Sequence, residues 1–119
     1  MLALAAQAKQ TFEMMVQSPA QVEDYIIFVA QKEGVSVSVA TNIARCESEF
    51  NVFAKNIHSS AESTFQFIDS TWEQTMTDMG YPTTTSKFSP RLSVEAGVFL
   101  LKRDGVVHWE ASRNCWGVV

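Results

Sequence analysis

The arrangement that most narrows what this chain can fold into is a helical stripe with a carboxylate along its border. Val39, Ile43, Cys46 and Phe50 recur at the spacing of one helical face, and Ala40, Ala44 and Glu47 run along its edge. Glu47 therefore borders a core. Glu49, turned by about 200° at 3.6 residues per turn, faces solvent. A carboxylate held against apolar surface loses hydration in its charged form, so its pKa rises and it can keep a proton near neutral pH, as a general acid must. Taken alone, the helix pattern favours a plainer Glu47 that ends a helix at the surface and does no chemistry.

The rest of the chain carries helix punctuation. Ser18-Pro19-Ala20-Gln21 combines an N-cap, a proline at the first helical position and the far half of a capping box, predicting a helix to about Glu33 that Gly34 closes. Tyr25, Ile26, Phe28 and Val29 are its expected buried side. Val35 to Val39 alternates valine with serine, which by period alone is a strand. Ser36 is a plausible N-cap, however, and Ala40 to Ala44 continues at helical spacing, so a helix is expected. Residues 51–64, with few periodic apolar residues and many Ser and Asn, form a loop along a groove. Ser70-Thr71-Trp72-Glu73 suggests a second capping box, with Asp69 and Ser70 starting a helix that stops at Gly80. A Thr-rich connection, Tyr81 to Lys87, leads to Ser89-Pro90 and a helix through Leu92, Ala96, Phe99 and Leu100 to Arg103, with Gly105 beyond. Gly97 sits inside that helix, where it costs about 1 kcal/mol against Ala, and predicts a close helix crossing. Val106 to Trp109 leads into a short last helix with Cys115 and Trp116. His108 and the tryptophans Trp72, Trp109 and Trp116 are expected to pack on the core, and His58 to be solvated.

A length of 119 residues with 46% hydrophobic content suits one domain with a single core. The net charge of −4 without a basic run argues against a nucleic-acid partner, and no apolar stretch reaches the roughly 20 residues of a membrane span. Met1 to Ala8 is apolar but lacks a basic n-region; an amphipathic helix with Leu4, Ala8, Phe12 and Met15 on one side is the preferred reading. Residues 1–17 are accordingly taken as an extension of a domain spanning 18–119. Cys46 and Cys115 match no zinc-ligand spacing. On count alone, a disulfide and two buried thiols both stay open, and no metal or other cofactor is implied.

Two ordered motifs bring in a resemblance. Glu47-Ser48-x-Phe50-x-x-x-Ala54, then Ser60-Ala61 and Phe65-Gln66, resembles the soluble lytic transglycosylase and goose-type lysozyme family (the SLT domain), as does the block from Ser59 to Trp72. The likeness covers roughly residues 20–116, with its specific part in about 45–72. It implies a mainly α, lysozyme-like single domain with little or no sheet. Glu47 is then the catalytic acid, Ser48, Phe65 and Gln66 are substrate-binding, and of the alternating Phe65 and Phe67 one lines the groove and the other the core. Relatives with a cysteine just before the Glu tend to end in a similar Cys-Trp, which implies a Cys46–Cys115 disulfide in an oxidising compartment. Ser60, Ser63 and Thr64 depart from the family's usual Gly, Gly and Leu, and Glu49 stands where a small residue is common. No clear match to the family's later Tyr-bearing motif is present.

The resemblance implies a monomeric, periplasmic or extracellular enzyme acting on peptidoglycan glycan strands, its leader trimmed or its delivery made by a phage or secretion machine. Cleavage would fall on the β-1,4 bond between N-acetylmuramic acid and N-acetylglucosamine. A 1,6-anhydro product is expected because a second catalytic carboxylate is hard to find. Asp69 and Glu73 are explained by capping, Glu49 points away, and Glu62 is expected to be a solvated charge. Two alternatives stand beside it: a hydrolytic lysozyme, with Glu62 the first candidate to activate water, and a non-catalytic peptidoglycan-binding module, motivated by Ser60, Ser63 and Thr64.

Overall fold

A computed structural model describes residues 18–117. The amphipathic helix expected within residues 1–17 lies outside the described residues. Among the described residues there are five α-helices, α1 (Pro19–Glu33), α2 (Val37–Ser48), α3 (Asp69–Met79), α4 (Pro90–Asp104) and α5 (Arg113–Trp116), with a 3-10 helix, η1 (Val107–Ser112), between α4 and α5. Extended pairing among the described residues consists of isolated antiparallel bridges, Lys55 with Glu62 and Glu62 with Phe67. The fold is therefore mainly helical, as expected.

Local chemistry accounts for most of the boundaries. Ser18 and Gln21 form the reciprocal capping box of α1, and Gly34 closes it in a left-handed conformation at φ 72°. Ser36 accepts from the Val39 N–H, so the Val-Ser alternation is the start of a helix. Ser89 caps α4 in the same way. The start of α3 differs from expectation: Ile68 is its N-cap and makes no side-chain cap, and the Ser70–Glu73 box does not form. Ser60, from the preceding loop, accepts from the Asp69 N–H instead at 2.9 Å. A partner distant in sequence satisfies one of the orphan donors.

The core gathers Val22, Ile26, Val29 and Ala30 of α1, Ala40, Ile43 and Ala44 of α2, and the inner face of α4 around Phe65, Phe67 and the three tryptophans. Each large side chain taken fully out of water contributes about 1.5–3 kcal/mol. Phe28, expected inside, is 60% exposed, because α1 buries the face of Val22, Ile26 and Val29. The buried centre of α2 likewise lies on the Ala40, Ile43 and Ala44 side. α2 ends at Ser48, before Phe50, since Glu49 and Phe50 take positive φ values of 53° and 63° and turn the chain away.

Gly97 leaves room for an aromatic ring rather than for a helix. A Cβ there would stand 2.3 Å from Phe65 Cδ2, so α4 offers Phe65 a flat seat. The Phe65 carbonyl accepts from Trp109 Nε1 at 2.9 Å, and the two rings lie 5.7 Å apart. Trp116 Nε1 in turn donates to the Trp109 carbonyl, and Trp72 Nε1 to that of Thr85. The Cys46–Cys115 disulfide joins α2 to α5. Its sequence separation of 69 residues corresponds to about 4 kcal/mol of stabilisation on chain-entropy grounds.

Two predictions follow from this packing. Gly97→Ala should destabilise by about 2 kcal/mol, overpacking against Phe65 outweighing the gain in helix propensity, read as a lower urea midpoint. Ser63 has φ 76° and a buried hydroxyl without a hydrogen-bond partner. Removing the left-handed strain and the orphaned group exceeds the added chain entropy of glycine. Ser63→Gly should therefore stabilise by about 1 kcal/mol, and an unchanged or lower midpoint would count against this account.

Candidate active site

Glu47 occupies the last turn of α2, half-buried at the edge of the core. Its Oε1 accepts a hydrogen bond from Ser112 Oγ of η1 at 2.5 Å. Burial raises its pKa above the ordinary carboxylate value, and the Ser112 hydrogen bond, which favours the charged form, offsets only part of that rise. Glu49 is exposed and forms the left-handed cap of the helix. The helix thus presents its two acidic residues to opposite environments.

Ser48 ties the end of α2 to the second motif: its Oγ lies 2.7 Å from the Thr64 carbonyl and 3.2 Å from that of Ala44. Gln66 sits in a left-handed conformation with φ 55°. Its Nε2 donates to the Ser63 carbonyl at 2.9 Å and to that of Ala54 at 3.2 Å. Both side chains therefore brace the loop that lies against Glu47. Phe65 and Phe67 are both buried, and both stand in the lining of the cleft described below. The Phe65 side chain packs between Gly97 and Trp109. Phe67 packs on Trp72.

The loop's departures from the family pattern now have a physical description. Glu49 and Ser63 both take left-handed backbone conformations, which glycine enters without a steric penalty. Thr64 is buried, with its hydroxyl 3.3 Å from that of Ser93. Ser60 places its Oγ on α3 and its carbonyl 2.7 Å from Lys87 Nζ.

Lys87 was legible in the sequence only as the end of a Thr-rich connection. Its side chain is 9% exposed, with Nζ 3.0 Å from Glu62 and 2.5 Å from Asp69. Burial works against its charge, but hydrogen bonds to the Asp69 and Glu62 carboxylates outweigh that effect and hold its pKa above the ordinary lysine value. Glu62 is consequently an ion-paired residue of the loop rather than a free solvated charge. Ser112 also escaped sequence reading. A serine between Trp109 and Trp116 carries no local signal, and its approach to Glu47 spans 65 residues.

A cleft of about 110 Å³ runs along Phe65, Gln66, Phe67, Ile68, Thr71, His108 and Trp109. It meets one of about 210 Å³ on α3 and α4, with Thr71 and His108 in both walls. His108 is exposed rather than packed inside. It contacts Asp104 at 2.8 Å, with its ring edge-on to Trp109. A larger cavity of about 300 Å³ between α1 and α4 has neither Glu47 nor any loop residue in its lining. The two smaller clefts border the second motif, and Glu47 lies outside the lining of all three.

No curated protein matches the chain. A family model for the transglycosylase SLT domain matches residues 24–105, well over half the chain and including the Glu47-Ser48 and Phe65-Gln66 motifs. On that match, together with the helical fold that carries both motifs, the chain belongs to the transglycosylase SLT domain family, whose characteristic activity is lytic cleavage of cell-wall peptidoglycan.

Proposed function

We propose that this protein is a lytic transglycosylase that cleaves the β-1,4 bond between N-acetylmuramic acid and N-acetylglucosamine, with Glu47 as its sole catalytic carboxylate. The observation that carries this reading is the environment of Glu47, which is half-buried, raised in pKa and, among the described residues, without an ion pair. Such a group holds a proton at the start of the reaction and can give it to the leaving glycosidic oxygen. The substrate's acetamido oxygen then bonds to the anomeric carbon as the glycosidic bond breaks. Glu47, now ionised, takes the proton of the 6-hydroxyl while that oxygen attacks the same carbon and displaces the acetamido group, closing a 1,6-anhydro ring. The 6-hydroxyl proton thus replaces the one that Glu47 gave to the leaving oxygen.

The hydrolytic alternative needs a group to activate water, at a separation from the acid that leaves room for it. The surroundings of the candidates favour ring closure. Glu62 and Asp69 are engaged by Lys87, and Glu49 and Glu73 are exposed. Ser48 and Gln66 serve in this reading by holding the loop against the acid. The glycan strand lies along the clefts beside Gln66 and His108, and the enzyme works as a monomer in the periplasm or outside the cell.

Purified sacculi should release soluble muropeptides with 1,6-anhydromuramyl ends, identified by mass spectrometry. Products with reducing ends would indicate a hydrolase, and binding without release a non-catalytic module. Glu47→Gln should abolish release, whereas Glu49→Gln should lose little. Folding raises the pKa of Glu47, so its contribution to stability is present below the unfolded carboxylate pKa and is lost as pH rises through the folded one. The Gln variant should accordingly melt no lower than the parent at neutral pH. A variant with substantial remaining activity would remove Glu47 from this role.

A further inference from the structure

We propose that Ser112 is the positioning residue of Glu47: it keeps Oε1 hydrogen-bonded in both protonation states and so leaves Oε2 as the oxygen that delivers and recovers the proton. The proposal rests on Glu47 being the acid, and it concerns a residue beyond the part of the chain that matches the family.

Ser112 Oγ has three neighbours, Trp116 Nε1 at 3.1 Å, the Trp109 carbonyl at 3.1 Å and Glu47 Oε1 at 2.5 Å. A hydroxyl has one proton to give and two lone pairs to receive. The indole N–H can only donate, and Trp116 shares its one proton between Ser112 Oγ and the Trp109 carbonyl; the carbonyl can only accept, so the hydroxyl proton of Ser112 chooses between Trp109 and Glu47. When Glu47 is ionised the proton goes to Oε1, the stronger acceptor. With Glu47 protonated on Oε2, Oε1 still has lone pairs and keeps the same bond. Were the acid proton instead on Oε1, the hydroxyl would turn to the Trp109 carbonyl and accept from Glu47. That state turns the acid proton away from any substrate. With Ser112 donating to Oε1, as in the structure, the acid proton sits on Oε2.

The framework around this hydroxyl is firm. Trp116 and Trp109 are buried, and Cys46, adjacent to Glu47, is bonded to Cys115, adjacent to Trp116. Charged groups on the elements packed against α2 are largely engaged with one another: Glu110 with Arg113, His108 and Arg103 with Asp104, Arg91 with Glu95, and Glu33 with Lys102. Glu23, Asp24 and Lys32 complete α1, and Arg45 on α2 itself bonds Asn42. Ser112 is the side chain whose hydrogen bond acts on the ionisation of Glu47.

The test compares Ser112→Ala and Ser112→Thr with the parent protein. The Glu47 carboxyl is titrated by carbon NMR, its resonance assigned by loss in Glu47→Gln, and muropeptide release from sacculi is followed against pH. Removing the donor destabilises the carboxylate, so Ser112→Ala should raise the Glu47 titration by about one pH unit. The alkaline limb of activity should move the same way, and kcat should fall about tenfold with KM within about twofold. Ser112→Thr, which keeps the hydroxyl, should restore both. An unmoved Glu47 titration in Ser112→Ala, or a loss of activity that Thr does not restore and that follows a lowered melting temperature, would overturn the proposal. Should the parent protein release no muropeptides, the functional reading fails on its own, and the NMR titration still decides whether Ser112 governs Glu47.

Discussion

The seat of Phe65 on Gly97 is the contact on which the rest of the structure depends. A loop of polar residues has little apolar surface with which to hold itself to a domain, and Phe65 supplies that anchor by going fully inside. Its ring takes the space a Cβ would occupy on α4, while its carbonyl receives the indole N–H of Trp109. One residue thereby fixes the loop to α4 from one side and to η1 from the other. Ser48 and Gln66 then need only short hydrogen bonds to align the loop with the end of α2. Because the ring is taken up in this way, the motif phenylalanine holds the loop in place beside the end of α2.

Electrostatics divides the acidic residues into two kinds. Glu62 and Asp69 meet a nearly buried ammonium, and these ion pairs make them braces for the loop and for the start of α3. Lys87 also bonds the carbonyls of Ser60 and Phe67, so the charge in its low-dielectric pocket is well surrounded by acceptors. Among the described residues no cation pairs with Glu47. Its neighbours are apolar surface and one hydroxyl, and the balance between lost hydration and that single hydrogen bond leaves it inclined to hold a proton. Carboxylates in one small domain are thus assigned to bracing or to proton transfer by what stands opposite them.

Strain is placed in the same region. Glu49, Phe50, Ser63 and Gln66 all have positive φ without being glycine, and all four flank or belong to the two motifs. Left-handed conformations of ordinary residues persist only where the surroundings overdetermine them. Here the disulfide, the anchored Phe65 and the Lys87 cluster provide that surplus. The buried and unpartnered Ser63 hydroxyl adds to the burden, and it marks the loop as the part of the domain where local preference and tertiary demand disagree most.

What the sequence determined by itself was whatever rests on neighbours along the chain. Ser18, Ser36 and Ser89 start helices and Gly34 and Gly80 end them, because caps act within three or four residues. The position of Glu47 at the border of a helical stripe follows from periodicity for the same reason. Features settled by long-range packing were read less well. Phe28 faces outward because α1 buries another side, Phe65 and Phe67 both turn inward, and the cap of α3 comes from Ser60 rather than Ser70. Only the tertiary structure could bring Lys87 to Glu62 and Asp69, or Ser112 to Glu47 across 65 residues. A side chain's proton affinity depends on burial and partners within a few ångströms, and those distances exist only once the chain has folded.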